Sequence, residues 1–204
     1  TTSEEGPSAG VIRDVNPYHQ EAEAAKYLRY DWRSHTDHRD ALVAKYAWAI
    51  PNDNAVQLLA GMGPIIEMGA GNGYWARLIT DAGGAVAAYD KDPGGHHSKN
   101  DTKSLWYPVL EGGPEQITVR HRDHVLLLVW PPYMGELAFD ALTRFLEIGG
   151  KTLVFVGESQ GGCTADDDFF NLLEARFDEV GDTDIPQWDG LHDYLTVYQR
   201  KTVR

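Results

Sequence analysis

Apolar residues follow two rhythms along this chain. From Tyr18 to Leu59 they recur at helical spacing, with Ala22, Ala24, Ala25 and Leu28 in one stretch and Leu42, Val43, Tyr46, Ala47 and Ile50 in another. Pro17 suits a first helical turn and Pro51 stops the second stretch. Asn52, Asp53 and Asn54 then cap a third helix, which carries Ala55, Val56, Leu58 and Leu59 to Gly61. From Ile65 onward the rhythm changes. Short apolar runs predict strands over 64–68, 85–89, 106–110, 125–130, 151–157 and 194–200, with a weaker one near 177–182. Helices are expected over 74–82, 135–147 and 165–176. The unbroken run Val125–Trp130 reads as a central parallel strand, whereas Tyr194–Gln199 alternates as an antiparallel strand does. The expected fold is therefore α/β, a mostly parallel sheet with helices on both faces and further helices at the N-terminal side.

The junction after the first strand carries the strongest chemical signal. In Glu67-Met68-Gly69-Ala70-Gly71-Asn72-Gly73, glycines at alternate positions permit positive φ and close approach of backbone to a ligand. The following helix aims its unpaired N–H groups at the same spot, so the turn forms a nucleotide-sized cradle. A dinucleotide fingerprint requires a third glycine five residues after the first, and that position is Tyr74, followed by Trp75. Twenty-one residues past Gly69, the run Ala85–Tyr89 ends in Asp90. That interval fits one helix plus one strand, and places a carboxylate where it can accept from both hydroxyls of a ribose.

The run from Val125 closes on Trp130-Pro131-Pro132-Tyr133. Prolines end the ladder and cannot donate, so the carbonyls of Trp130 and Pro131 are expected to stand free beside the glycine loop. The two aromatic rings there can press on a flat or cationic group.

Glu67-x-Gly69-x-Gly71-x-Gly73 resembles motif I of the class I S-adenosylmethionine-dependent methyltransferases. Pro131-Pro132-Tyr133 resembles motif IV of the members that act on amino nitrogens, written Asn/Asp-Pro-Pro-Tyr, with Trp130 replacing the Asn or Asp. Lys45–Asn52, Gly73–Ala76, Leu127–Pro132 and Ile185–Asp193 further resemble a small group of methyltransferases with no assigned acceptor. The resemblance implies a Rossmann-like sheet of seven strands, the last antiparallel and inserted between strands five and six. It implies S-adenosylmethionine as cofactor, bound by Glu67, Gly69, Ala70, Gly71, Asn72, Gly73 and Asp90, with Trp130 at the same site. A small acceptor with an amino nitrogen would then meet Tyr46, Trp48, Pro131, Pro132, Tyr133 and Trp188. Tyr133 and His192 are the candidate catalytic residues, Asp193 being placed to fix the His192 tautomer.

Size and charge narrow the acceptor. The 204 residues are read as a tail over 1–10 and one domain over 11–204, divided into a helical lid at 11–60 and a core at 61–204. Eighteen basic against thirty-one acidic residues give a net charge of −13, which repels a nucleic-acid backbone and favours a small-molecule acceptor in a biosynthetic pathway. Thr1–Gly10 lacks the basic and apolar regions of a signal peptide, and no apolar stretch reaches membrane length. A cytoplasmic monomer or homodimer is expected. The single cysteine, Cys163, excludes an internal disulfide and is read as structural. His96 and His97 lack further ligands at metal spacing, so no metal is expected, and His121–His124 reads as a solvated cap.

Two other readings use the same cradle. One is a nicotinamide-dependent oxidoreductase, which Tyr74 and the absence of a Tyr-x-x-x-Lys dyad disfavour. The other is a non-catalytic protein that binds S-adenosylmethionine and serves a partner.

Overall fold

In a computed structural model the described residues are 16–26, 32–95 and 104–202. The tail at 1–10, Leu28 and the His96-His97 pair lie outside them. Helices α1 (Pro17–Lys26), α2 (Trp32–Lys45) and α3 (Asp53–Gly61) come first. Then follow β1 (Pro64–Met68), α4 (Tyr74–Asp81), β2 (Ala85–Asp90), β3 (Leu110–Glu111), β4 (Val125–Val129) and α5 (Leu137–Glu147). The chain continues through β5 (Thr152–Gly157), α6 (Asp167–Arg176), β6 (Phe177–Asp184) and β7 (Tyr194–Arg200). The seven strands lie in the order β3-β2-β1-β4-β5-β7-β6, and β7 is antiparallel to both its neighbours.

Alternation along the central strands assigns the two layers. Ile66, Met68, Leu126, Leu128, Leu153 and Phe155 pack with α5 and α6. Ile65, Val125, Leu127, Val154 and Val156 pack with α3 and α4, through Leu59, Trp75 and Ile79. A third cluster fastens α1 and α2 to this layer, with Tyr18 and Tyr46 stacked at 4.7 Å and both packed on Tyr74. No helix among the described residues is long and apolar enough to cross a membrane.

Four expectations change. The second helix stops at Lys45 rather than running to Pro51, because the carbonyls beyond it bond to side chains. The Lys45 carbonyl accepts from Asn72 Nδ2 at 3.1 Å and Trp106 Nε1 at 2.8 Å, Ala47 from Tyr18 Oη at 2.7 Å, and Ala49 from Trp75 Nε1 at 3.1 Å. The third strand shrinks from 106–110 to Leu110–Glu111, since the Trp106 N–H is given to the Asn72 carbonyl at 2.8 Å and Pro108 has none to give. The weak run near 177–182 becomes the full strand β6, held by its ladder with β7. Only its first residue, Phe177, is buried, and acidic side chains face solvent along this sheet edge. His121 is buried rather than solvated, its Nδ1 accepting from the Thr118 N–H at 3.1 Å.

Gly73 shows how tightly the cradle is tied to the fold. It is left-handed at φ 79, and a Cβ there would lie 2.8 Å from both Tyr107 Cβ and Val109 Cγ2. Strain and overpacking combine, so Gly73→Ala is expected to cost about 2–4 kcal/mol in urea denaturation. Gly61→Ala meets no atom within 4 Å and serves as the control. Its expected effect is neutral or stabilising by up to ~1 kcal/mol.

Candidate active site

Parallel register brings the carboxyl ends of β1, β2 and β4 together, with Met68 beside Tyr89 on one side and Leu128 on the other. The Gly69 and Ala70 N–H groups both donate to the Tyr89 carbonyl, at 2.9 and 3.0 Å. The Gly71 N–H donates to Asp90 Oδ2 at 2.8 Å, and Asp92 N–H to Oδ1 at 2.8 Å. Above this turn opens a cavity of about 660 Å³.

Most of the predicted residues meet on its wall. Glu67, Gly69, Ala70, Gly71, Asn72 and Asp90 line it. Tyr46, Trp48, Trp130, Pro132 and Tyr133 line it as well. Trp48 and Trp130 stack at 4.6 Å with their planes 9° apart, and Arg39 lies 5.6 Å from the Trp48 ring centroid. Tyr133 stands at the mouth, 60% exposed.

Four predicted residues lie elsewhere. Gly73 and Pro131 are off the wall, Gly73 beneath the turn against Tyr107 and Val109. Trp188 is buried in the cluster that fastens α1 and α2. His192 is 76% exposed and also off the wall. Its expected alignment by Asp193 is replaced by Glu158, whose Oε1 accepts the His192 backbone N–H at 2.9 Å and lies 3.6 Å from Nδ1. Asp193 instead turns inward, 1% exposed.

The Pro131 carbonyl is not free, as it accepts from the Ala165 N–H at 3.1 Å. Met134 in turn donates to the Ala165 carbonyl at 2.9 Å. Trp130, Met134 and Ala165 adopt positive φ values of 50, 54 and 55, so the turn after β4 is clamped in a conformation that costs non-glycine residues energy.

Sequence reasoning missed Gly112, Gly113, Pro114 and Leu137, which also line the cavity. The available signal was position: a Gly-Gly-Pro loop directly after the third strand falls at the sheet edge that bears the cradle. Cys163 also reaches the wall, its thiol donating to Glu158 Oε2 at 3.0 Å. Burial, with Glu158 beside it, pushes the thiol up to about 11, which suits a structural cysteine and not a nucleophile.

Glu67 is the group most displaced from its ordinary state. It is 1% exposed, and burial with Asp90 nearby pushes its pKa up to about 8. Its Oε2 has no hydrogen-bond partner among the described residues. A buried carboxyl lacking a donor on a cavity wall suits a ligand that brings a positive charge. Gly69 is left-handed at φ 76, and a Cβ there would lie 2.7 Å from Leu137 Cδ2, so the turn requires glycine at this position. Asp90 can take further hydroxyl donors, because a carboxylate oxygen accepts more than one hydrogen bond. These features fit a cationic adenosine cofactor held by Glu67, the glycine turn and Asp90. Among the described residues, no group of three or more His, Cys, Asp or Glu side chains is arranged to hold a metal.

No family model matches the chain. Ribosomal RNA large subunit methyltransferase E of Wolbachia sp. subsp. Brugia malayi (strain TRS) is 27% identical over 146 residues, or 61% of this chain and 62% of that protein. The chain thus matches less than two thirds of this relative's length. Magnesium protoporphyrin IX methyltransferase of Synechocystis PCC 6803, solved with bound S-adenosylmethionine, superposes with a TM-score of 0.54 at 12% identity, covering 91% of this chain and 95% of that one. The 1,6-didemethyltoxoflavin-N1-methyltransferase of Burkholderia thailandensis, solved with 1,6-didemethyltoxoflavin and S-adenosylhomocysteine, gives 0.51 at 15% identity, covering 98% and 94%. Strand order, the cradle and these likenesses agree: the chain has the Rossmann-like fold of the S-adenosylmethionine-dependent methyltransferases.

Proposed function

We propose that this protein transfers a methyl group from S-adenosylmethionine to a small, flat acceptor bearing an amino nitrogen. One observation carries the reading: a single cavity joins the glycine turn, Asp90 and the buried Glu67 carboxyl to the Trp48–Trp130 stack. The cofactor supplies an electrophilic methyl group on a positively charged sulfur. What remains for the protein is alignment and the exclusion of water. In this reading Asp90 and the glycine turn hold the adenosine end, while Glu67 balances the positive charge. Trp48, Trp130 and Tyr46 form an apolar wall that orients the acceptor ring, and Tyr133 packs on it at the mouth.

An amine attacks through its lone pair once it is neutral, so no positioned base is required. That agrees with the absence of His192 from the wall, and this reading gives His192 no contact with the acceptor. The occupied Pro131 carbonyl leaves ring stacking, rather than a proline carbonyl, to select the nitrogen. A small acceptor is favoured over RNA by the −13 charge and by the exposed Glu136 and Asp140 at the cavity, which repel phosphate.

Two measurements test the cofactor assignment. Isothermal titration calorimetry should detect binding of S-adenosylmethionine and S-adenosylhomocysteine, weakened about 10–100-fold in Asp90→Ala by loss of charge-assisted hydrogen bonds. No affinity for either compound, or nicotinamide cofactor binding in their place, contradicts the proposal. At pH 7 the cationic cofactor should also release a proton from Glu67, giving a binding heat that depends on buffer ionisation and loses that dependence in Glu67→Gln.

The same carboxyl sets a pH dependence of stability without ligand. Its folded-state pKa of about 8 lies above the ordinary 4.5, so the stabilisation it favours is complete below pH 4.5 and is lost as the pH rises toward 8. Glu67→Gln should remove that slope, gaining on the wild type by on the order of 3–5 kcal/mol between pH 4.5 and 8. Thermal denaturation across this range reads the difference. Parallel curves for the two proteins would show that Glu67 does not titrate as described.

A further inference from the structure

Behind Trp130 lies a second buried carboxyl that the proposed chemistry leaves unused. Asp193, the residue before β7, is 1% exposed, and neither of its carboxyl oxygens has a hydrogen-bond partner among the described residues. The Trp130 Nε1 is likewise buried without a partner. The two are neighbours, and the indole N–H is the group that most favours the ionised carboxylate. An indole nitrogen can only donate and a carboxylate can only accept, so each is the group the other lacks. Two buried polar groups left unmatched are costly, and a bond between them removes both costs.

The backbone of Trp130 is already fixed. Its N–H donates to the Val156 carbonyl at 2.7 Å, and φ is held at 50 by the clamp on Ala165. What that leaves open is the rotation of the ring, whose plane makes the stack with Trp48. The acidic neighbour of Asp193 is fully engaged. Glu158, at the end of β5, accepts through Oε1 from the His192 N–H and through Oε2 from the Cys163 N–H and thiol.

We propose that Asp193 is a positioning residue: its carboxyl receives the Trp130 indole N–H and thereby sets the plane of Trp130 against Trp48. The inference rests on the methyltransferase reading for naming this wall the acceptor side, but the latch itself requires no ligand. Asp193 does not touch the reacting atoms in this scheme. It acts through Trp130, and its loss would loosen the acceptor wall while leaving the glycine turn and Asp90 in place.

The latch is sensitive to pH. Burial, then Glu158, raise the Asp193 pKa to about 6, while the Trp130 N–H and His192 lower it. The Cys163 thiol and the Tyr18 phenol also feel this charge, and both stay neutral through this range. The ionised carboxylate is the stronger acceptor, so the bond tightens as the pH rises through about 6.

Circular dichroism of the ligand-free full chain tests this directly, because closely stacked indoles give a coupled pair of bands of opposite sign. Trp48→Phe identifies the contribution of the Trp48–Trp130 pair by subtraction. The expected result is a couplet in the wild type that loses at least half its amplitude between pH 7.5 and 5, with a midpoint near 6. Asp193→Asn, whose neutral amide oxygen still accepts the indole N–H but does not titrate, should show a couplet that no longer changes with pH. Asp193→Leu should lose at least half the couplet at pH 7.5 with the backbone spectrum unchanged. A folded Asp193→Leu protein with the wild-type couplet overturns the proposal. So does an Asp193→Asn protein that titrates like the wild type, an outcome readable even if the leucine variant does not fold. Failure to bind cofactor would count against the methyltransferase reading alone and leave these spectra unaffected.

Discussion

The hydrogen bond from the Gly71 N–H to the Asp90 carboxylate, 2.8 Å long, joins the two parts on which the site depends. It exists because β1 and β2 pair in parallel with Met68 opposite Tyr89, so that the turn leaving one strand meets the last residue of the other. The Tyr89 carbonyl accepts two more bonds from the same turn. Three backbone donors are thus spent on the end of β2, and the loop cannot move without the sheet. A rigid cradle of this kind holds a ligand without first having to be ordered, which spares binding an entropic cost.

On that frame the N-terminal segment forms the far wall. Its attachment is aromatic, through Tyr18, Tyr46, Tyr74 and Trp106, and is completed by carbonyls of residues 45–49 that accept from side chains of the core. Ending α2 at Lys45 is what makes those carbonyls available and turns Trp48 toward Trp130. Strain is concentrated beside it, where Trp130, Met134 and Ala165 take left-handed conformations around the Pro131–Pro132 turn. The cavity is therefore lined by a flat backbone cradle and by a stack of rings held under strain. That contrast is the physical content of the assignment of cofactor and acceptor sides.

Much of this was legible in the chain. β4 and β5 are covered on both faces, which writes them as apolar runs, and the glycine turn lies where the buried strand β1 must stop. Asp90 was legible from its distance to Gly69, because helix and strand lengths vary little in this unit. The failures have a common cause in contacts between distant segments. β3 was expected too long, at 106–110, since the Trp106 N–H is taken by Asn72, and β6 looked weak because its ladder with β7, not its side chains, holds it. The Pro131 carbonyl appeared free until Ala165, far along the chain, was seen to donate to it. Asp193 sat beside His192 in the sequence, yet in the segment before β7 one side chain turns inward and the other to solvent.

The most direct test of the account is a crystal structure of the protein grown with S-adenosylhomocysteine. The account predicts the ribose hydroxyls on Asp90, the adenosine against Gly69–Gly71, the amino group of the ligand toward Glu67, and the sulfur facing the space beside Trp48 and Trp130. A ligand bound elsewhere, or a cavity closed by the Trp48 and Trp130 rings in that crystal, would contradict it.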